Sequence, residues 1–317
     1  MPTLDLQPIL QAVRQAAELC RRVQLTHLTA TTHKVGKEPV TIADYGSQAI
    51  VCRAISRAFP DDAILAEEHG SQFVGLVPEP QRAQITRIVG EVLGEAVSEA
   101  DIVRWLDYGQ GRQAGRTWVI DPIDGTGGFI ALRRYAIAVG LLEDGQPVGG
   151  VIGSPAYPGQ GLAFYALDGA AYVEPLVGGT AQRIHVSDRT EGLRVVESVD
   201  VSHSDPAVSA RVRGAAGMAD AEVLEVDSMD KYAMVACGDA DLYLRIPTVR
   251  SYRHKAWDHA AGTALVQAAG GMVTDLNGAP LDFTHGAILA NNRGMVVSNG
   301  RVHERVLRAL EAVLREG

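Results

Sequence analysis

Cysteine is scarce in this chain: Cys20, Cys52 and Cys237 are the only three among 317 residues, odd in number and far apart. They make neither a zinc-ligand spacing nor a disulfide framework. Cys20 and Cys52 sit inside apolar helical patterns and are expected in the core. Aromatic residues are few, at 5%. Positive charge is also short, with 29 Lys and Arg against 38 Asp and Glu, a net charge of -9. Such a surface repels polyanions, so nucleic-acid polymers and anionic membranes are poor partners. No apolar run is long enough to span a membrane, and no basic segment followed by an apolar run opens the chain. The expectation is a soluble protein of the reducing cytoplasm. What is plentiful is glycine, at 34 residues, which implies many tight turns and close backbone approaches.

Hydrophobic spacing organises the chain as mixed α/β without repeats or low-complexity linkers. Leu6, Ile9, Leu10, Val13, Ala17, Cys20 and Val23 recur at helical spacing. A polar loop follows, Thr29 to Pro39, and Thr41 can cap a second helix running to about Phe59, with Ile50, Ala54, Ile55 and Ala58 as its apolar face. Ala63-Ile64-Leu65 is a short strand stopping at Glu67-Glu68. Pro78-Glu79-Pro80 reads as a turn and 81–98 as helical, with a glycine-containing loop from Gln110 to Gly115. Thr117–Ile120 is a buried strand ending at Asp121, and Glu143-Asp144-Gly145 and Leu167-Asp168-Gly169 mark two hairpins. The second half alternates strand and helix. It includes a helix over 258–269 closed by Gly270-Gly271, a final hairpin and a C-terminal helix at about 302–315. Two lobes are expected, residues 1–180 and 181–317, with the boundary near 175–190.

Four acidic clusters carry the chemistry: Asp44, Glu67-Glu68, Asp121-Pro122-Ile123-Asp124-Gly125-Thr126, and Asp258. Singly, each has an ordinary structural reading. Asp44 is spaced from Thr41 as in a capping box, Asp258 opens a helix as an N-cap would, and Glu67-Glu68 resembles a solvated turn. Jointly they read differently. Carboxylates gathered without a cation repel and raise one another's pKa, and a hard divalent cation such as magnesium resolves that. Asp121 ends an apolar strand and Pro122 fixes the turn. Asp124 then points back toward the same space, and the Ile123 carbonyl is released from the ladder. A helix beginning at Gly125-Thr126 offers backbone N–H groups to a phosphate. Metal and phosphate in one cradle suit displacement at phosphorus.

Glu67-Glu68, then Asp121 to Thr126 with Phe129, then Trp257-Asp258-His259-Ala260-Ala261-Gly262 with Gly270-Gly271, resemble the inositol monophosphatase superfamily in order and spacing. Val40-Thr41-Ile42-Ala43-Asp44-Tyr45 with Gln48 is similar to its 3′(2′),5′-bisphosphate nucleotidase branch. So are Asp107-Tyr108-Gly109 through Trp118, Ser202-His203-Ser204, Asp227-Ser228 with Lys231-Tyr232, and Asp241 to Arg245. The resemblance implies a layered α-β-α-β-α fold of the sugar-phosphatase type, with the active site between two lobes. It implies a magnesium-dependent, lithium-sensitive enzyme of sulfur metabolism that removes the 3′-phosphate of adenosine 3′,5′-bisphosphate, with 3′-phosphoadenosine 5′-phosphosulfate as a related substrate.

Carried over residue by residue, the resemblance makes Glu67, Asp121, the Ile123 carbonyl, Asp124 and Asp258 ligands of two or three magnesium ions. Asp44 and Thr126 orient and deprotonate the attacking water, helped by Glu68 behind them. Gly125 and Thr126 hold the scissile phosphate. His203, Asp227, Ser228, Lys231 and Arg245 contact the nucleotide. Three positions depart from the branch: Gly127 stands where lysine is usual, Ala66 where glycine is, and Gln267 where glutamate precedes Ala-Gly-Gly, here Ala268-Ala269-Gly270. Two alternatives remain: a broad-specificity inositol monophosphatase-like enzyme on the same scaffold, and a catalytically silent metal- or nucleotide-binding regulator. The first turns on whether Lys231 and Arg245 face the metal site. A monomer or a homodimer is compatible with the sequence.

Overall fold

The first amphipathic segment forms α1 (Gln7–His27), and its apolar stripe, Leu6 to Val23, is buried. The computed structural model describes residues 4–27, 42–200, 204–249 and 251–315. The expected loop over 29–39 and the Thr41 cap lie outside the described residues. α2 (Ile42–Ala58) departs from a simple amphipathic helix. Every residue from Ala43 to Cys52 is buried, including Asp44, Ser47 and Gln48, whereas Ala58, expected inside, is exposed. The cause is enclosure: α1, α4 (Glu79–Leu93), α5 (Glu99–Leu106) and a strand of the first sheet all pack on α2.

That sheet has seven strands in chain order: β1 (Ala63–Ala66), β2 (Arg116–Asp124), β3 (Ala136–Glu143), β4 (Gln146–Ser154), β5 (Leu162–Leu167), β6 (Ala170–Pro175) and β7 (Gln182–Ile184). Only β1 and β2 run parallel. The two expected hairpins form, with Asp144-Gly145 and Asp168-Gly169 at positive φ, the geometry that matches strand twist. A second sheet follows, built from β8 (Arg194–Glu197), β9 (Glu222–Glu225), β10 (Leu242–Arg245), β11 (Met272–Thr274) and β12 (Met295–Ser298) in the order β11-β12-β10-β8-β9. β11 and β12 pair antiparallel as expected, but residues 275–294 separate them, so they are not a tight hairpin.

Helices make the remaining layers. α1 and α2 cover one face of the first sheet. α8 (Asp230–Ala236) and α9 (Ala260–Ala268) lie between the sheets, α9 against β3, β4 and β11. α7 (Pro206–Ala215) and α10 (His303–Arg315) close the outer face of the second sheet. The result is the α-β-α-β-α stack. Free Cys20 and Cys52 are buried in it. Among the described residues, no helix is long and apolar enough to cross a membrane.

The stretch between β1 and β2 holds most of the differences from sequence expectation. Pro78-Glu79-Pro80 is no turn: Pro78 is the N-cap of α4, and a proline in the first helical turn loses no needed hydrogen bond. The helix expected over 81–98 stops at Gly94, which adopts φ 69. A new helix, α5, then starts at a Ser98–Asp101 capping box. α3 (Gly70–Leu76) was not expected at all.

The inter-sheet helix pair depends on a bare glycine. A Cβ on Gly262 would lie 2.3 Å from Cγ of the Tyr232 ring, so α9 meets α8 ring against backbone. Gly262→Ala should therefore overpack the middle layer and lower stability by about 1–3 kcal/mol, read as an earlier urea midpoint. An unchanged midpoint would mean that the ring relaxes freely and the close approach is not required.

Candidate active site

Asp121 and Asp124 lie three apart on one strand, and strict strand alternation would send them to opposite faces. A register break prevents this. On β2, Asp121 pairs with Ala138 and Asp124 with Ala136, so three steps on one strand oppose two on the other. The strand thus runs on past Asp121, where it was expected to end. Pro122, which has no N–H to pair, sits in the break. The Ile123 N–H donates to Asp121 Oδ1 at 3.2 Å, and Thr126 Oγ1 donates to the Ile123 carbonyl at 3.1 Å.

Gly125 follows at φ 83 as N-cap of α6 (Thr126–Ile130). A Cβ there would be 2.9 Å from Ser228 Cβ. This approach lets the 227–229 loop close on the strand end, where the Met229 N–H donates to Asp124 Oδ2. Ser228 itself holds φ 69, a strained conformation for a non-glycine residue.

α2 ties the other acidic segment to this turn. Gln48 bonds the Glu68 backbone in both directions: Nε2 donates to the carbonyl at 2.6 Å, and Oε1 accepts from the N–H at 2.9 Å. One residue earlier, Ser47 Oγ donates to the Pro122 carbonyl at 3.0 Å. Since β1 runs parallel to β2 with Ala66 opposite Ile120, Glu67 emerges beside Asp121. Asp44, one turn before Gln48, is buried on the same side. Asp258 is delivered just before α9, whose N-cap is His259, so the helix opens two residues later than expected and Asp258 is not its cap.

These segments converge on one cleft of about 500 Å³. Asp121, Asp124 and Asp258 each bring a carboxylate oxygen within 4.8 Å of the others. Asp44, Glu67, Glu68, Ile123, Gly125, Thr126, Asp227, Ser228, Lys231 and Arg245 line the same cleft. Every predicted site residue within the described residues is therefore in one place; His203 lies outside them. Lys231 is buried, donating from Nζ to the Val226 carbonyl at 3.0 Å and lying 5.5 Å over the Tyr243 ring. Arg245 Nη2 is 4.0 Å from Asp258 Oδ2. Both cations thus face the acidic cluster. Arg133, Tyr252, Arg253 and Lys255 also line the cleft and were missed. The signal available for Arg133 was the Arg133-Arg134 pair close after the Asp-Pro-Ile-Asp motif in an acidic chain.

The electrostatics are those of a cation site. Burial, and then the charges of Glu67, Asp124, Asp258 and Asp44, push the Asp121 carboxyl well above the usual range. Burial also raises Asp124, against the pull of Lys231 and Arg245. Burial lowers Lys231 to about 8, with Asp124 holding it up. All the clustered donors are oxygens, with no thiolate among them, which suits a hard cation of the magnesium type.

The inositol monophosphatase family model matches residues 5–315. The chain is similar to the 3′(2′),5′-bisphosphate nucleotidase of Emericella nidulans, at 36% identity over 96% of each chain. It is 35% identical to the probable 3′(2′),5′-bisphosphate nucleotidase 4 of Arabidopsis thaliana, over 96% of this chain and 94% of the other. Among solved structures, Thermotoga maritima IMPase superposes with a TM-score of 0.65 at 23% identity, covering 97% of this chain and 96% of that one.

Because the folded-state pKa of Asp121 is raised, the group contributes no penalty at low pH, and stability is lost progressively as the pH rises from the ordinary carboxylate range to the elevated value. Metal-free stability should fall as the pH rises toward neutrality, and magnesium should restore it. Asp121→Asn keeps the oxygen that accepts from Ile123 and removes the repelling charge. Its metal-free Tm should match or exceed that of the parent, and its Tm shift on adding magnesium should largely vanish. A lower metal-free Tm would show that the carboxylate is a structural anchor.

Proposed function

The chain belongs to the inositol monophosphatase family, and we propose that it is a metal-dependent phosphomonoesterase that hydrolyses the 3′-phosphate of adenosine 3′,5′-bisphosphate to give AMP and phosphate. 3′-Phosphoadenosine 5′-phosphosulfate is a related substrate in this reading. The observation that carries it is the meeting, in one cleft, of the Asp121–Asp124–Asp258 cluster with the buried cations Lys231 and Arg245. A monophosphate needs the cluster alone, whereas a second phosphate needs positive charge beside it. The full-length similarity to proteins named for this activity supports the same substrate class.

Glu67, Asp121, the Ile123 carbonyl, Asp124 and Asp258 would hold two or three magnesium ions. When bound, magnesium supplies Lewis-acid charge at the phosphoryl oxygens and makes water more acidic. Asp44, buried beside Glu67-Glu68, accepts the proton of the attacking water, which Thr126 Oγ1 orients. Glu68 stands behind them, its backbone fixed by Gln48. The backbone N–H groups of Gly125 and Thr126 hold the transferring phosphate. As water oxygen bonds to phosphorus, the bond to the 3′-oxygen breaks, and that oxygen takes a proton from solvent. His203, Asp227, Ser228, Lys231 and Arg245 position the nucleotide. In this division of labour residues 1–180 supply most metal ligands, and residues 181–317 supply Asp258 and the nucleotide contacts. A cytoplasmic setting fits the free cysteines and a nucleotide substrate.

With magnesium, adenosine 3′,5′-bisphosphate should be hydrolysed with higher kcat/KM than inositol 1-phosphate; equal or reversed preference would reject the nucleotidase reading and leave the phosphatase intact. Lys231→Ala should cost adenosine 3′,5′-bisphosphate about ten- to a hundredfold in kcat/KM, the worth of a charged hydrogen bond, and adenosine 3′-monophosphate much less. An equal loss on both would give Lys231 a general supporting role.

A further inference from the structure

Arg133 has a guanidinium that neither the carboxylate cluster nor the buried cations account for. It lines the cleft together with Gly127, Gly128 and Asp227. The chain returns over α6 through Leu132, whose φ of 57 is a left-handed turn at a non-glycine residue. The Arg133 N–H then donates to the Gly128 carbonyl at 2.7 Å. This return needs a bare Gly128, because a Cβ there would lie 2.2 Å from the Arg134 carbonyl and 3.0 Å from Asp227 Oδ2. Arg133 Nε donates to Asp227 Oδ2 at 2.9 Å. Its two η nitrogens make no hydrogen bond among the described residues, and its side chain is 54% exposed while that of Asp227 is 12% exposed.

We propose that Arg133 is a specificity-determining residue that takes a second anionic group, a phosphate carried by the leaving group, on its free Nη1/Nη2 edge while Asp227 grips Nε. The inference rests on the phosphomonoesterase reading and adds a residue to it. Position decides between the two phosphates of such a substrate. The carboxylate cluster and the Gly125–Thr126 turn claim the transferring phosphate at the start of α6. Arg133 is anchored farther along that helix, at Gly128, and is half open to solvent at the mouth of the cleft. A guanidinium is suited to this place: its planar fork serves a carboxylate on one side and a phosphate on the other, which an ammonium cannot do. The pairing also cancels the charge of Asp227, which would otherwise repel an incoming dianion. Beside it Gly127 is open, with nothing within 4 Å of where a Cβ would be, so no side chain competes for that space.

The test compares two substrate pairs, each differing by one phosphate: adenosine 3′,5′-bisphosphate with adenosine 3′-monophosphate, and inositol 1,4-bisphosphate with inositol 1-phosphate. In whichever pair the wild-type enzyme prefers the bisphosphate, Arg133→Ala should reduce that preference in kcat/KM by about tenfold or more, mostly through KM, and Arg133→Lys should recover only part of it. The reduction should persist in Arg133→Ala/Asp227→Asn, where the lone carboxylate charge is gone. Equal losses on both members of a pair would overturn the proposal, as would full recovery in the double variant, which would reduce Arg133 to a counter-ion. A preference confined to the inositol pair would refute the nucleotide assignment and leave the role of Arg133 standing. A wild-type enzyme that prefers neither bisphosphate would overturn both.

Discussion

The constraint on which the structure turns is the forced proximity of carboxylates in a place where burial opposes their charge. Asp121 lies within reach of Asp124 and Asp258, beside Glu67, and nearly all of it is hidden from solvent. Left alone, such a cluster costs stability, because each charge resists both desolvation and its neighbours. The surrounding architecture holds it together regardless. The register break on β2 puts Asp121 and Asp124 on one side, Ser47 and Gln48 clamp the Pro122 and Glu68 backbones to α2, and the Met229 N–H caps Asp124. Preorganisation of this kind places the cost in the fold, so a cation entering the cleft would find oxygen donors already gathered.

The same constraint explains why polar residues occupy the core of α2. A helix that only supported the first sheet would bury one apolar stripe. α2 also carries Asp44 to the cleft and spends Ser47 and Gln48 on backbone groups of two other segments. Those side chains must point into protein, so the helix is enclosed on every side over its first three turns. The inter-sheet layer has the matching task from the opposite direction. α9 begins two residues after Asp258, and α8 carries Lys231. The two are locked by Gly262 against Tyr232, whose hydroxyl lies 2.9 Å from His259 Nδ1. A shift between these helices would move Asp258 relative to Lys231, which makes close packing there a requirement of the site as well as of the core.

Much of the layered fold was legible because its signals are local. Asp-Gly hairpins and a Gly-Gly helix end each declare themselves within a few residues. The acidic cluster was legible only jointly, since Asp44, Glu67 and Asp258 each have an ordinary reading alone. What escaped were features set by contacts distant in sequence. α3 and α5 are short and take their place against α2 and each other. Pro78-Glu79-Pro80 carries turn chemistry, yet the same residues also start a helix, and packing of α4 on α2 settles the choice. Arg133 escaped because its partner, Asp227, is on another loop, brought near only by the bare Gly128.

Charge placement resolves the apparent conflict between an acidic protein and an anionic substrate. Net charge governs long-range encounters and is screened beyond about 10 Å in ordinary salt. Recognition inside a cleft depends on the groups within it. Here basic side chains are set among the carboxylates: Lys231 and Arg245 buried at its base, Arg133 and Lys255 toward its exposed rim. Their order from inside to outside follows solvation. The inner pair is desolvated and balanced by Asp124 and Asp258, and in the proposed reading it offers positive charge to a bound nucleotide from within the cleft. The rim residues keep their water until a ligand displaces it, so they can respond to an added phosphate without a large standing cost in the empty cleft. A chain with an acidic net charge can in this way admit a small phosphorylated molecule to its cleft.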